Sequence, residues 1–431
     1  MNGNNKRAGR GLYGKEGGFL LRCARIALAG RKNAGQGSVD AAGLDWGSII
    51  RLAEANRVMP LLAAAVADNR VLNVPAEIAD RLRNRFRAGA HRAMTLAGEL
   101  KRALNALDQA GIRCIPLKGP VLAAGSYRSL ALRDFDDLDL LVAPADAARA
   151  AGVLARLGFA GWDVPDHRLA AHLASECEHN LICPARGVVI DLHWAVYRRY
   201  FTIPTEFDAL WRRAKRVELS GSAVPDLSAE DAMLFLCFHG GKHLYHRLAW
   251  VCDVAAAIAA HPELDWNRLL ENATRIGAQR LVLLGLYLAE RLLGVRIPYS
   301  IRLRIQADRM LHLLTAEATG TIFQQRGPAQ EFQRQLQACL FHLRVRERSS
   351  DRLRYVFWAL APNSRDWNAS RLPAALEFLH LLSRPVRLLR KHLSAPPTDV
   401  DRRADTVAPS RPVSQPKALG LAPHEALAFA S

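Results

Sequence analysis

Apolar positions recur at three- and four-residue spacing through the first hundred or so residues, lose that period near residue 112, and regain it after about residue 226. Spacing of three and four is that of a helix face, and alternation that of a strand. Residues 19–111 are therefore expected to be helical. Asp45 precedes WGSIIRLAEANRV as an N-cap, since its carboxylate can accept a free amide of the first turn. Leu62 to Val66 and Ile78 to Phe86 continue the pattern, and HRAMTLAGELKRALNALDQAG (91–111) predicts an amphipathic helix stopped by Gly111.

Between 112 and 225 the elements shorten. IRCIPL (112–117) predicts a strand, PVLAAGSYRSL (120–130) a helical turn and loop, and DLDLLV (137–142) a buried strand. PADAARAAGVLARLG (144–158) is an Ala-rich helix with Pro144 near its first turn, and HNLICPARGVVIDLHWAV (179–196) is a hairpin around Pro184-Ala185-Arg186-Gly187. Ser228 and Asp231 give a capping-box-like start to the helical region that follows. LDWNRLLENATRIGA (264–278) echoes LDWGSIIRLAEANRV (44–58), but one shared helix start does not make a repeat. The expected fold class is α+β. A small mixed-sheet core (112–225) lies between an N-terminal helical region (19–111) and a C-terminal helical domain (226–393). A basic tail at 1–18 and a Pro- and Ser-containing tail at 394–431 are expected to be disordered.

The chain has 431 residues, half of them hydrophobic, enough for a sizeable core. Its formal charge of +18 favours polyanions in general, such as nucleotides, nucleic acid or anionic lipid. Seven cysteines, an odd number with no Cys-x-x-Cys pair, argue against a disulfide framework and fit a reducing cytoplasm. Cys237 and Cys252 stand among apolar residues as small core side chains. No stretch has the uninterrupted apolar length of a membrane span. FLLRCARIALAG (19–30) is broken by Arg22 and Arg25 and reads as an amphipathic helix rather than a signal peptide.

The chemistry concentrates at 115–142. Asp137 and Asp139 are two apart on one strand and so project from one face. Two ionised carboxylates that close repel unless a cation lies between them, and Mg²⁺ prefers carboxylate, phosphate and water oxygens. Asp191, in VVIDLHW, joins them if its strand pairs beside 137–142. Three acids can hold two Mg²⁺ ions for phosphoryl-type transfer, with Asp191 on the acceptor side and able to take the acceptor proton. Lys118-Gly119 stands where a strand meets a helix, fit for a triphosphate, and Arg133 could neutralise phosphate charge.

The order of these motifs resembles the nucleotidyltransferase superfamily whose relatives include DNA polymerase beta: a Gly-containing turn, an Asp-x-Asp strand, then a third Asp on a later strand. More closely, LKG, Tyr127, Arg133 before DLDLLV, IDLHW, and His239 with RLAWVCDVA resemble the family of uncharacterised bacterial nucleotidyltransferases, over roughly residues 40 to 300. The resemblance implies that Asp137 and Asp139 are metal ligands, Asp191 the third acid, and Lys118 and Gly119 the nucleotide-phosphate turn. It implies transfer of a nucleoside monophosphate from an NTP, ATP among them, with release of pyrophosphate. The acceptor could be a small molecule, a saccharide, a peptide or a protein.

Other residues carry weaker signals. His193 shares the strand face of Asp191 and could contact substrate or support that acid. His239, His243 and His246 fall on one face of a continued helix, which with Asp253 is expected to pack over the acid site. Zinc on these histidines lacks a further ligand at clear spacing. RLPAALEFLHLLSRPVRLLRKHL (371–393) reads as a packed helix with a basic face. The competing reading is a non-catalytic nucleotide- or nucleic-acid-binding scaffold on the same fold. The charge favours it, but no RNA-binding motif does. A kinase-like phosphotransferase lacks a Walker-type loop.

Overall fold

Fourteen residues into the chain, helix α1 (Gly14–Ala29) begins, so 14–18, expected in the disordered tail, are helical. Its buried face runs Phe19, Leu20, Leu21, Cys23 and Ala24, and the helix extends a turn ahead of that face. The computed structural model describes residues 13–29, 38–197, 206–323 and 331–360. The 371–393 stretch, the C-terminal tail and residues 1–12 lie outside them.

A two-residue strand β1 (Val39–Asp40) precedes helices α2 (Trp46–Ala55) and α3 (Met59–Ala67) and pairs in parallel with β2 (Val71–Leu72). Asp45 caps α2 as expected, accepting from the amides of Gly47 and Ser48. The Ile78–Phe86 pattern and the 91–111 helix prove to be one 34-residue helix, α4 (Ala76–Gln109). The core then runs β3 (Cys114–Pro116), α5 (Pro120–Gly125), β4 (Asp137–Val142), α6 (Ala147–Arg156), α7 (Asp166–Ser175), β5 (Glu178–Cys183) and β6 (Val188–His193). Helix α8 (Phe207–Arg213) and a hairpin of β7 (Lys215–Leu219) and β8 (Ser222–Asp226) follow. Helices α9 (Ala229–Lys242), α10 (Leu248–Ala260), α11 (Trp266–Arg275), α12 (Gln279–Leu293), α13 (Tyr299–Ala307), α14 (Arg309–Phe323), α15 (Glu331–Val345) and α16 (Ser349–Leu360) complete the described chain.

The four-stranded sheet has the order β3-β4-β6-β5, with β4 and β6 parallel and both outer pairings antiparallel. Alternation divides its strands between two environments. Leu138, Leu140, Val142, Ile190, Leu192, Leu181 and Cys183 enter a core with Leu100 and Leu104 of α4 and Ala150 and Leu154 of α6. The intervening positions Asp137, Asp139, Asp191, His193, Glu178 and Asn180 therefore project from the opposite face.

The helices on either side of the sheet region share a second core: Phe19, Ile49 and Leu62 belong with Leu236, Val251, Leu284 and Leu314. Buried Asn56 ties them further. Its Nδ2 donates to the carbonyl of Ile322 (3.1 Å), and its Oδ1 accepts from the amide of Leu248 (2.8 Å). Arg25 donates to the carbonyl of Leu292 at 2.7 and 3.0 Å.

The Leu-Asp-Trp echo is structural. Asp265 caps α11 as Asp45 caps α2, each accepting two amides. Each cap opens a ten-residue helix. Left-handed turns follow at Arg57 (φ 53°) and Gly277 (φ 70°), and α3 and α12 then begin at the same spacing from their caps.

Candidate active site

Strand β4 occupies 137–142, and the register against β6 sets Asp139 directly opposite Asp191 and Asp137 opposite Val189. In parallel strands such partners share a face, so the two carboxylates meet without any loop having to bend. His193, two residues on, lies beside them: its Nε2 is 3.1 Å from Asp139 Oδ1. One donor atom each from Asp139, Asp191 and His193 lie within 4.8 Å of one another, the only such acid–imidazole group among the described residues. Asp137 is outside it. Of the three expected aspartates, two come together in this group, with His193 as the third donor.

Lys118 follows β3, whose continuation is held where the Leu117 amide donates to the Asp139 carbonyl (3.1 Å). Its ammonium lies 3.0 Å from Asp139 Oδ2 and 3.6 Å from Asp137 Oδ1. Gly119 adopts φ +67°, which a glycine takes without strain, and so lets the chain turn from Lys118 into α5. That helix has six residues and opens on Pro120, which brings no amide hydrogen to its first turn. The expected amide cradle for a triphosphate is correspondingly thin, and the Lys118 ammonium is the charged donor of the turn.

Burial and charge set the protonation of the cluster. Burial pushes the Asp139 carboxyl up, but Lys118 and His193 outweigh it and hold it below the usual carboxylate range. Asp191 is pushed up to about 6, first by burial and then by the charges of Asp139 and Asp137. Burial lowers the His193 imidazolium, yet its bond to Asp139 and the nearby charges of Glu178, Asp139 and Asp191 raise it overall. Lys118 stays charged because Asp139 and Asp137 outweigh its burial.

One nitrogen here lacks the hydrogen bond that burial demands: His193 Nδ1 makes none, with Glu178 Oε2 3.4 Å away, whereas Asp139 Oδ2 has the Lys118 ammonium at 3.0 Å. Carboxylate oxygens and an imidazole nitrogen on a buried face, with donor capacity left over, suit a divalent cation.

Arg133, expected to neutralise phosphate charge, is held in a buried ion pair. Its fork is taken by Asp253 of α10, Nε to Oδ1 at 2.8 Å and Nη2 to Oδ2 at 3.0 Å, and the Tyr127 hydroxyl donates to the same Oδ1 at 2.7 Å. The triad is buried, so Asp253, expected to line the site, is a structural anchor for Arg133. Asp134 and Asp136 pair with Arg57 rather than with Arg133.

The three histidines of α9 do not continue one helix. The helix ends at Lys242, and positive φ at Leu244 and Tyr245 turns the chain away. They gather instead around Trp250: His243 stacks on its ring at 4.9 Å, while His239 and His246 meet it edge-on. Burial, and then the charge of Lys118, lowers His239 and keeps it neutral. Burial and Lys242 do the same for His243.

Two residues of this face escaped the sequence reading. Asn180 sits opposite Asp191 and donates to its Oδ1, and Glu178 sits opposite His193. The signal was available: counting outward from the Pro184–Gly187 turn pairs 180 with 191 and 178 with 193.

A family model described as an uncharacterised nucleotidyltransferase matches residues 42–294, more than half of the chain. The matched span takes in the whole acid face, Lys118 and the Arg133–Asp253 pair. No curated protein matches the chain.

Proposed function

The chain belongs to the uncharacterised nucleotidyltransferase family, and from that premise we propose that it transfers a nucleoside monophosphate from an NTP to an acceptor, releasing pyrophosphate. The observation that carries the reading is the pairing of Asp139 with Asp191, with His193 alongside and its buried Nδ1 without a hydrogen bond. A divalent cation there, Mg²⁺ or Mn²⁺, would neutralise charge on the triphosphate and acidify the attacking hydroxyl. Asp139, Asp191 and His193 would hold it. Lys118 keeps Asp139 ionised and turns its remaining N–H donors towards the phosphates. Asn180 fixes one oxygen of Asp191, which orients the other towards the cluster. The attacking oxygen bonds to the α-phosphorus as the α–β bridging bond breaks, and the acceptor proton leaves to solvent or to a nearby base.

A binding scaffold would have no use for two carboxylates brought face to face on paired strands, since such groups are costly to bury. Labelled ATP, CTP, GTP and UTP, screened against cell fractions as acceptors, test the proposal. Transfer should need Mg²⁺ or Mn²⁺ and fall at least a hundredfold in both Asp139→Asn and Asp191→Asn. Equal transfer by wild type and Asp139→Asn would remove the site.

A further inference from the structure

We propose that Lys118 takes the place of a second cation, so that the protein itself holds one divalent ion rather than two. The idea rests on the nucleotidyltransferase reading above and concerns how its metal centre is built.

The ammonium sits where a bridging ion would have to go. It is 3.0 Å from Asp139 and 3.6 Å from Asp137, between the two carboxylates of the Asp-x-Asp pair. The donor group that could hold an ion joins Asp139 to Asp191 and His193, without Asp137. Each oxygen of Asp139 thus has its own neighbour: Oδ1 faces His193 and Oδ2 faces Lys118.

Lys118 is not a solvated side chain that can swing aside at no cost. Only 14% of it is exposed, and its backbone is pinned between the Leu117–Asp139 hydrogen bond and the Gly119 turn. The charges also balance. Asp137, Asp139 and Asp191 carry three negative charges when ionised, which one dication and one ammonium neutralise. A second dication beside the ammonium would meet strong repulsion at this separation. Lysine is a compact point charge on a flexible stem, the side chain best able to imitate a small hydrated ion.

The number of ions is countable without turnover. Free Mn²⁺ is measured by electron paramagnetic resonance as protein is titrated, with no nucleotide present. Wild type should bind one Mn²⁺ and Asp191→Asn none. Lys118→Met should bind two, because the Asp137–Asp139 pair is freed. Asp137→Asn alone should still bind one, and Asp137→Asn combined with Lys118→Met should return to one. Two ions in wild type, one ion in Lys118→Met, or loss of the ion in Asp137→Asn each overturns the inference and leaves the transferase reading standing. No Mn²⁺ on wild type would instead remove the metal centre of that reading, and this inference with it. Circular dichroism melts show whether Lys118→Met folds. If it does not, the wild-type and Asp137→Asn counts decide.

Discussion

Removing Asp253 should be one of the most damaging single changes in this protein, although it lies outside the acid cluster. The carboxylate is almost fully buried and receives three hydrogen bonds, two from Arg133 and one from Tyr127. Arg133 is itself only 10% exposed, so Asp253→Ala strands a buried guanidinium. Breaking one side of a buried pair costs about 3–5 kcal/mol. The Tyr127 hydroxyl, left without its acceptor, adds about 1 kcal/mol. Urea unfolding followed by circular dichroism should therefore show Asp253→Ala destabilised by about 4–6 kcal/mol at unchanged slope. The triple variant Tyr127→Phe, Arg133→Met, Asp253→Leu removes all the polar groups together and should recover most of that loss, since apolar replacements of buried ion pairs are often neutral. A loss below about 1 kcal/mol in Asp253→Ala would show that water reaches the guanidinium, and a triple variant as unstable as the single would show that packing, not the stranded charge, is responsible. Arg133 stands four residues before Asp137, so the same variants should lower transfer activity through displacement of the start of β4.

Two further outcomes follow from the same physics. Asp226 is pushed up to about 7, chiefly by burial, from an ordinary value near 3.8; because its folded pKa is raised, its contribution to stability is present below about pH 4 and is lost as pH rises through about 7. Wild type should therefore lose roughly 4 kcal/mol across that window relative to Asp226→Asn, a difference that melting curves at pH 4, 5.5 and 7.5 would reveal and that parallel curves would refute. Gly240 lies in α9 where a Cβ would run into the ring of Tyr245, itself wholly buried with its hydroxyl donating to the Cys237 carbonyl. Gly240→Ala should lower stability by about 1–3 kcal/mol in urea unfolding, and an unchanged midpoint would show that the ring has room to move.

The parts of this molecule that could be read in its sequence are those where a periodic pattern was enforced by burial. Strand β4 was legible to the residue because Leu138, Leu140, Leu141 and Val142 all lie in cores. The β5–β6 hairpin was legible because its turn residues punctuate two apolar runs. Helix α7 was not, since none of its residues is buried and no apolar stripe exists to be seen. The β7–β8 hairpin was missed for a similar reason: three of the five residues of β7 are exposed. In the acid cluster, spacing placed Asp137 and Asp139 on one face, but partner choice needed the tertiary register. Arg133 shows the limit: its sequence offered a phosphate partner, and the fold supplied Asp253 from 120 residues away. The spacing could not show why glycines stand at 240 and 241: Tyr245 and Leu281 fill the space beside them.

The repeated cap–helix–turn units explain one oddity at the border of the active face. The second unit turns on Gly277, where a Cβ would meet Asp351 Oδ2 at 2.6 Å, so glycine is demanded by space as well as by its φ of +70°. The first unit turns at the equivalent place on Arg57, with φ 53°, a conformation that costs a non-glycine residue roughly 1 kcal/mol. Glycine would relieve that cost but could not do what the arginine does. Its guanidinium pairs with Asp134 and Asp136, and Arg92 reaches Asp136 from α4 at 3.6 Å. These acids belong to the loop that leads into β4, immediately before Asp137. Left unpaired they would add like charge beside a cluster that already gathers three carboxylates. The strained turn is therefore best understood through the acid strand it borders: one unit turns on a glycine, and the other turns on an arginine whose less favourable backbone lets it neutralise the approach to the site.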